Sequence, residues 1–390
     1  MITVETADNA LKSFYLDAVT EALDLKVNPL LAQLGKSSID VVGKDVKKLV
    51  KYGMNGGISA GSETGALPTA SSSDKVMLTS TLKNLYGTIE ISDKALRAAA
   101  GSEGAFVNLL NDEMQSLIKS ATFNFGRMLY GDGTGSLGTI YQVEEGNSVM
   151  LDSVKDIVEG MFVDFATPSG EFVESAMGRK VIKVDREYNI FFVSGAPLSE
   201  EIQQDGKVYL HGSKDYEITG LGAIFSDSDQ LYGVDRSSTP MLRPYILADV
   251  GVISEGIIQS VIDGIEDQSG GTINLILCSK GVKRALANYY REHDIVLPSL
   301  ECKGGFKAMS FNGIPIVADR FCPEGTMYLL NTDDFKIHQL CDWKWLEGED
   351  GKILKQVPGK PVYTATLVKY AELMCERPNA QGMITGIEED

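Results

Sequence analysis

The chain has 390 residues, more than one compact core readily holds, so two or three domains are expected. Its 43% hydrophobic and 23% charged content is that of a globular protein and excludes a disordered chain. A formal charge of −18 repels phosphate backbones and excludes general DNA or RNA binding; it suits a protein that sits near packed nucleic acid without sticking to it, but many soluble acidic proteins have no such task.

The cysteines (Cys278, Cys302, Cys322, Cys341, Cys375) are widely spaced in the last third and form no CxxC pair. Neither a zinc ribbon nor a redox dithiol is expected, and a reduced, intracellular assembly site fits best. The opening MITVETADNALKSF lacks a basic n-region and an apolar h-region, so no Sec-type signal is expected. No run of eighteen apolar residues predicts a transmembrane helix.

In chain order, residues 7–34 read as helical with a break at Pro29, because Leu11, Phe14, Tyr15, Ala18, Ala22 and Leu25 recur at helical spacing. Val46, Lys48, Val50 and Tyr52 are spaced to line one face of a strand, and Val76 to Ile91 reads as a second strand run. Between them, Gly53 to Asp74 is almost devoid of large apolar residues and cannot stabilise itself by burial. A two-stranded hairpin is marginal alone, so it is expected to lie across a neighbouring subunit; an exposed loop without function is the alternative.

Ser102 to Tyr130 follows as one long amphipathic helix. Phe106, Leu110, Met114, Leu117, Ile118, Ala121, Phe125, Met128 and Leu129 fall on one stripe, with Ser102 as N-cap and Gly131 as a left-handed stop. At 1.5 Å per residue it spans roughly 40 Å, a girder for separate sub-structures. MFVDF, GRKVIKVD, YNIFFVSG and GKVYLHG then read as short strands with Gly-containing turns, predicting a small inserted β-barrel or sandwich over 147–213. The remainder is α/β in texture. Helices are expected at Ser254–Asp267 and Ser279–His293, and strands at Thr272–Cys278, Phe311–Asp319, Thr326–Asn331, Phe335–Leu346 and Pro361–Leu373. The acidic tail GIEED is expected to fray.

Chemistry is sparse. Gly133, Gly135 and Gly138 spell GxGxxG, but they follow a helix and lead into a strand, the reverse of a dinucleotide site. Gly57-Ile58-Ser59-Ala60-Gly61 matches a nucleophile elbow without its strand-to-helix context. His211, His293 and His338 are too far apart in sequence to read as a zincin pair, and Asp227, Asp229 and Asp235 lack EF-hand spacing. No catalytic, cofactor or metal site is expected, and the chain reads as a structural protein rather than an enzyme. Trp343 and Trp345 share a strand face that is either core or contact surface.

Arm, glycine-rich hairpin, long helix and α/β remainder, in that order, resemble the major capsid proteins of tailed bacteriophages, the Hong Kong 97 fold. GLGAIFSDSDQLYGVDRSSTPMLRP, TINLILCSKGVKRALANYY, FNGIPIVADRFCPEGTMYLLNTDDFKI and the closing VKYAELMCERPNAQGMITGI share that texture. The resemblance implies an α+β fold: an N-terminal arm (1–43), an extended hairpin loop (44–96) and a peripheral domain with a spine helix (97–146). An inserted β-barrel (147–213) and an axial domain with return strands of the peripheral domain (214–390) complete it. It implies a shell of hexamers and pentamers enclosing double-stranded DNA, located in the virion, assembled in the host cytoplasm and free of membrane. Tyr52, Met54, Leu67 and Trp345 are the candidate subunit-interface residues. No long charged coiled coil precedes the arm, so either the scaffolding protein is separate or the chain is a processed form. A portal and a decoration protein are the other implied partners. The rival readings are an encapsulin-type nanocompartment shell and, further off, a dinucleotide-using enzyme.

Overall fold

A computed structural model describes residues 28–94, 103–144, 146–294, 299–301, 307–348 and 351–389. Of the helix expected over 7–34, residues 7–27 lie outside them, as does the Ser102 cap, and residues 28–34 form a turn rather than a helix. The architecture is α+β with few helices and many strands, built on three hydrophobic cores.

The first core begins with β1 (Gly35–Ser37), β2 (Val41–Val42), β3 (Asp45–Tyr52), β4 (Asp74–Thr81), β5 (Lys83–Ser92) and α1 (Glu103–Met128). β3 and β4 pair antiparallel over their full length, with β2 on the far edge of β3. The strand run expected over 76–91 is in fact two strands in two sheets. Leu82 divides them: its side chain is buried and its N–H donates to the Lys44 carbonyl, which pins the bend. β4 stays with the hairpin, and β5 crosses to lie along Val362–Cys375.

On α1, Met114, Ile118, Phe125 and Met128 are buried, as is Leu129 just past it, with Leu117 and Ala121 packed at their margin. The helix does not end on a left-handed Gly131; the first glycine after it with positive φ is Gly133. Its last carbonyls are taken by the turn that follows, where Leu129, Tyr130 and Gly131 donate N–H groups to Phe125, Arg127 and Met128, and the next two carbonyls, of Leu129 and Tyr130, accept from Leu221 and Gly222. That approach needs a glycine. A Cβ on Gly220 would lie 2.4 Å from the Met128 carbonyl oxygen and 2.5 Å from that of Gly131.

The second core fills a closed barrel. Its strands are β6 (Ser136–Val143), β7 (Ser148–Leu151), β8 (Phe162–Ala166), β9 (Arg179–Asp185), β10 (Ile190–Val193) and β11 (Lys207–Leu210), ordered β10–β7–β6–β11–β8–β9. Inward residues Val149, Val163, Phe165, Phe191 and Val208 are buried, and the Phe165 and Phe191 rings stack at 6.1 Å. β6 belongs to this barrel although it lies ahead of residue 147, because it pairs with β7 on one edge and β11 on the other.

The chain then forms α2 (Leu221–Ile224), β12 (Gln230–Leu231), β13 (Val234–Asp235), β14 (Tyr245–Leu247), α3 (Glu255–Ser269), β15 (Leu275–Cys278) and α4 (Lys280–Glu292). Next come β16 (Ser299–Glu301), β17 (Lys307–Phe311), β18 (Ile314–Ala318), β19 (Met327–Leu330), β20 (Phe335–Trp345), β21 (Lys355–Gln356), β22 (Val362–Cys375) and β23 (Gly382–Ile384). The third core lies between α3, α4 and a mixed seven-stranded sheet, β14–β23–β19–β15–β18–β17–β16. Ser254 and Ser279 cap the two helices, accepting from the N–H groups of Ile257 and Val282. The strand expected over 311–319 is interrupted, because Asn312 and Gly313 both take positive φ and turn β17 back onto β18. The tail is pinned rather than frayed: Gly325 N–H donates to the Glu389 carboxylate at 2.7 Å, and Ser279 Oγ donates to it at the start of α4.

β22 is the longest strand, flanked by β20 on one side and β5 on the other. It closes the first core against α1. We expect Gly220→Ala to cost about 2 kcal/mol or more, since backbone carbonyls cannot retreat as a side-chain end would. Urea midpoints of the purified variant check this, and an unchanged midpoint would contradict the packing described.

Candidate assembly surface

The hairpin has two unlike faces, set by strand alternation. Val46, Val50 and Leu78 point inward and are buried in the first core, with Tyr52 and Val76 packed at its edge. Lys47, Leu49, Lys51, Lys75 and Met77 point outward and are exposed. The tip beyond Tyr52 offers almost nothing to its own chain: Met54 is 96% exposed, Ile58 87% and Leu67 91%.

The root is held by a polar network. Thr79 donates its N–H to the Tyr232 carbonyl at 2.9 Å, and Lys48 bridges Asp40 at 2.9 Å and Glu376 at 3.3 Å. The hydrogen bond to Asp40, against the opposing cost of partial burial, raises the Lys48 pKa. Beneath lies Glu372 of β22, fully buried. Its Oε1 accepts the N–H groups of Thr219 (2.7 Å) and Leu373 (2.9 Å), and its Oε2 accepts the Ser80 hydroxyl of the hairpin at 3.2 Å. Burial pushes its carboxyl up to about 7, the two N–H donors, Lys83 and Ser80 opposing only in part. His338 pairs with Glu372 in register and is itself fully buried, and that burial lowers its pKa.

A second knot sits on the same strand. The Lys369 ammonium is buried, donates to Gln339 (3.0 Å) and Asp342 (2.6 Å), and lies over the rings of Phe125 and Trp343. β20 makes room for it with register breaks around Cys341. Burial acts against ionisation of Asp342, but Lys369 and Lys36 overcome it and hold the carboxyl far below its usual value. At the end of α1, Arg127 makes a buried two-pronged pair with Glu217.

Of the four candidate interface residues, Met54 and Leu67 stand at the exposed tip and Tyr52 at its half-buried base. Trp345 is not with them. It is only 5% exposed, in the first core beside the equally buried Trp343, so the shared strand face is core and offers no partner a surface. The residues missed from the sequence are Lys369 and Glu372. Their signal is two charges inside the otherwise buried run Leu367–Cys375.

A cavity of about 710 Å³ between α1 and the barrel is lined by Phe123, Phe162, Phe321, Lys119 and Arg320, and among the described residues has no histidine or cysteine at its wall. Gly133 and Gly135 serve the turn from α1 into β6, Gly135 because a Cβ there would meet the Ser213 carbonyl oxygen at 2.5 Å. No group of three or more metal-ligating side chains occurs among the described residues. No helix among them is long and apolar enough to cross a membrane.

Comparison with known proteins starts from silence: no family model matches the chain, and no curated protein does. Solved structures do. The capsid asymmetric unit of cyanophage A-1(L) superposes with a TM-score of 0.56, over 93% of this chain and 93% of that one, at 11% identity. The chain has a tailed-phage capsid fold. Mycobacterium phage Adephagia also matches (TM-score 0.48, 10% identity, 100% and 99% covered), as does an encapsulin complex from Synechococcus elongatus (TM-score 0.47, 9% identity, 93% and 89% covered). At such identities only the fold is shared.

Glu372 gives a direct test of the hairpin root. Its proton is bound more tightly folded than unfolded, so its contribution to stability is full below the usual value of 4.5 and is lost as pH rises through about 7. Glu372→Gln keeps an acceptor for Thr219 and Leu373 without the charge. We expect it to remove most of that decline, of the order of 2–3 kcal/mol between pH 4.5 and 8. Urea unfolding of both proteins at pH 5 and pH 8 measures it; equal pH slopes would contradict the assignment.

Proposed function

We propose that this chain is the major capsid protein of a tailed bacteriophage, self-assembling into hexamers and pentamers of an icosahedral shell around double-stranded DNA. The observation that carries the proposal is the hairpin. In a chain of phage-capsid fold, a rigidly rooted projection holds Met54, Ile58 and Leu67 in water, where only another molecule can bury them. On this reading the hairpin is the extended loop that lies over the adjacent subunit, α1 is the spine of the peripheral domain, and the seven-stranded sheet with α3 and α4 is the axial domain meeting its copies around each capsomer centre. The barrel is an insertion between them, available to a decoration protein. Tyr52, Met54 and Leu67 contribute to the subunit interface.

Such a shell needs no catalytic site. Its stability comes from many modest contacts repeated by symmetry. The charge of −18 keeps the wall from gripping packaged DNA. A separate scaffolding protein and a portal are the further partners, and the location is the virion after assembly in the host cytoplasm. An encapsulin-type nanocompartment is the rival within the same fold, and the particle's contents distinguish them: DNA for the phage shell, a cargo protein for the compartment.

The test is sedimentation and negative-stain microscopy of the chain with and without Gly53 to Asp74. The complete chain is expected to give closed shells or capsomer rings, and the deletion variant to remain as folded, slowly sedimenting subunits. Shells of unaltered size and yield from the deletion variant would contradict the hairpin's role.

A further inference from the structure

We propose that the outward face of the hairpin is an electrostatic docking strip for an acidic surface on a second copy of this chain. The inference rests on the capsid reading and names what that reading leaves open: which face makes the contact, and through which force.

The strip is defined by register. Leu49 stands opposite Met77, Lys51 opposite Lys75, and Lys47 opposite Thr79. All of the first four and Lys47 are exposed, Leu49 at 52% and Met77 at 48%. Like charges directly opposite on paired strands destabilise the pair. Here the two facing lysines and their neighbour Lys47 have no ion pair among the described residues, whereas Lys48, on the inward face, has two. The hairpin therefore carries uncompensated positive charge on one side only.

That charge is anomalous for this protein. Between Lys44 and Lys83 there are six lysines and three acids, in a chain whose net charge is −18. A second copy thus offers what the strip lacks: an abundance of carboxylates. The apolar pair Leu49–Met77 at the centre, rimmed by lysines, has the layout of a protein contact, with an apolar middle that can be dried and a polar rim. A nucleic-acid surface of three cations around two exposed apolar side chains would leave those side chains against phosphates. Charges at such a rim are screened over about 8 Å at physiological ionic strength, so docking through them is salt-sensitive.

The experiment compares the complete chain with the triple variant Lys47→Glu, Lys51→Glu, Lys75→Glu and with the neutral triple Lys→Gln at the same positions. Assembly is followed by light scattering against protein concentration at 50 mM and 500 mM salt, and folding by urea midpoint. Because the three lysines are exposed and unpaired, folding is expected to be retained in both variants. We expect the charge-reversed protein to need at least tenfold more protein to assemble at 50 mM salt, the neutral variant to fall between, and the differences to shrink at 500 mM. Assembly of both variants indistinguishable from the complete chain at either salt would overturn the inference. It would leave the capsid reading intact provided that deleting Gly53 to Asp74 still blocks assembly. A short DNA duplex bound by the complete chain and lost in the charge-reversed variant, with assembly unchanged, would also overturn it and make the strip a nucleic-acid surface.

Discussion

The structure depends on one strand carrying two buried charges. β22 runs through the middle of the first core with β5 and β20 on its flanks, and its Lys369 and Glu372 are almost fully enclosed. A buried ammonium and a buried carboxylate are tolerable only with their partners in place. Lys369 therefore fixes Gln339 and Asp342 on β20, and through the aromatic rings of Phe125 and Trp343 it fixes the register of α1. Glu372 gathers the Ser80 hydroxyl from the hairpin and the Thr219 N–H from the segment that ends α1. Strand, helix and hairpin root are positioned by the same few atoms.

From that root the energetic logic inverts. Inside the first core both carboxylate oxygens of Glu372 have partners, while the hairpin tip holds three large apolar side chains in water. A two-stranded projection of this kind is marginal by itself. In the proposed shell the root supplies direction and the neighbouring subunit supplies burial. The barrel differs: with its own closed hydrogen-bond ladder and its own core, it asks nothing of a partner for its stability.

Much of this was legible in the sequence, for physical reasons that differ by element. The stripe on α1 follows from burial of Met114, Ile118, Phe125 and Met128 along one side of a helix, a pattern that survives any tertiary context. The helix starts at Ser254 and Ser279 are set by local capping and were readable for that reason. Features decided by distant contacts were not. Leu82 divides one apparent strand into two because its N–H meets Lys44, and Gly131 is no left-handed stop in a stretch where Leu221 and Gly222 pack onto the carbonyls of Leu129 and Tyr130 just past the helix. Trp345 reads equally as core or contact until the sheet is folded, whereas Met54 and Leu67, in a stretch too polar to build a core, are readable as exposed. The charges in β22 stand in the sequence as a departure from an apolar run, but only the fold reveals that they knit three elements together.

The most direct measurement is a cryo-electron microscopy reconstruction of particles assembled from the purified chain, with the scaffolding protein added if assembly requires it. The account predicts a closed shell in which density for residues 45–81 runs from its root beside β22 onto the surface of the adjacent copy, burying Met54 and Leu67 there. A shell in which that hairpin points into solvent or folds back on its own chain would contradict it, as would a protein that stays monomeric under every assembly condition.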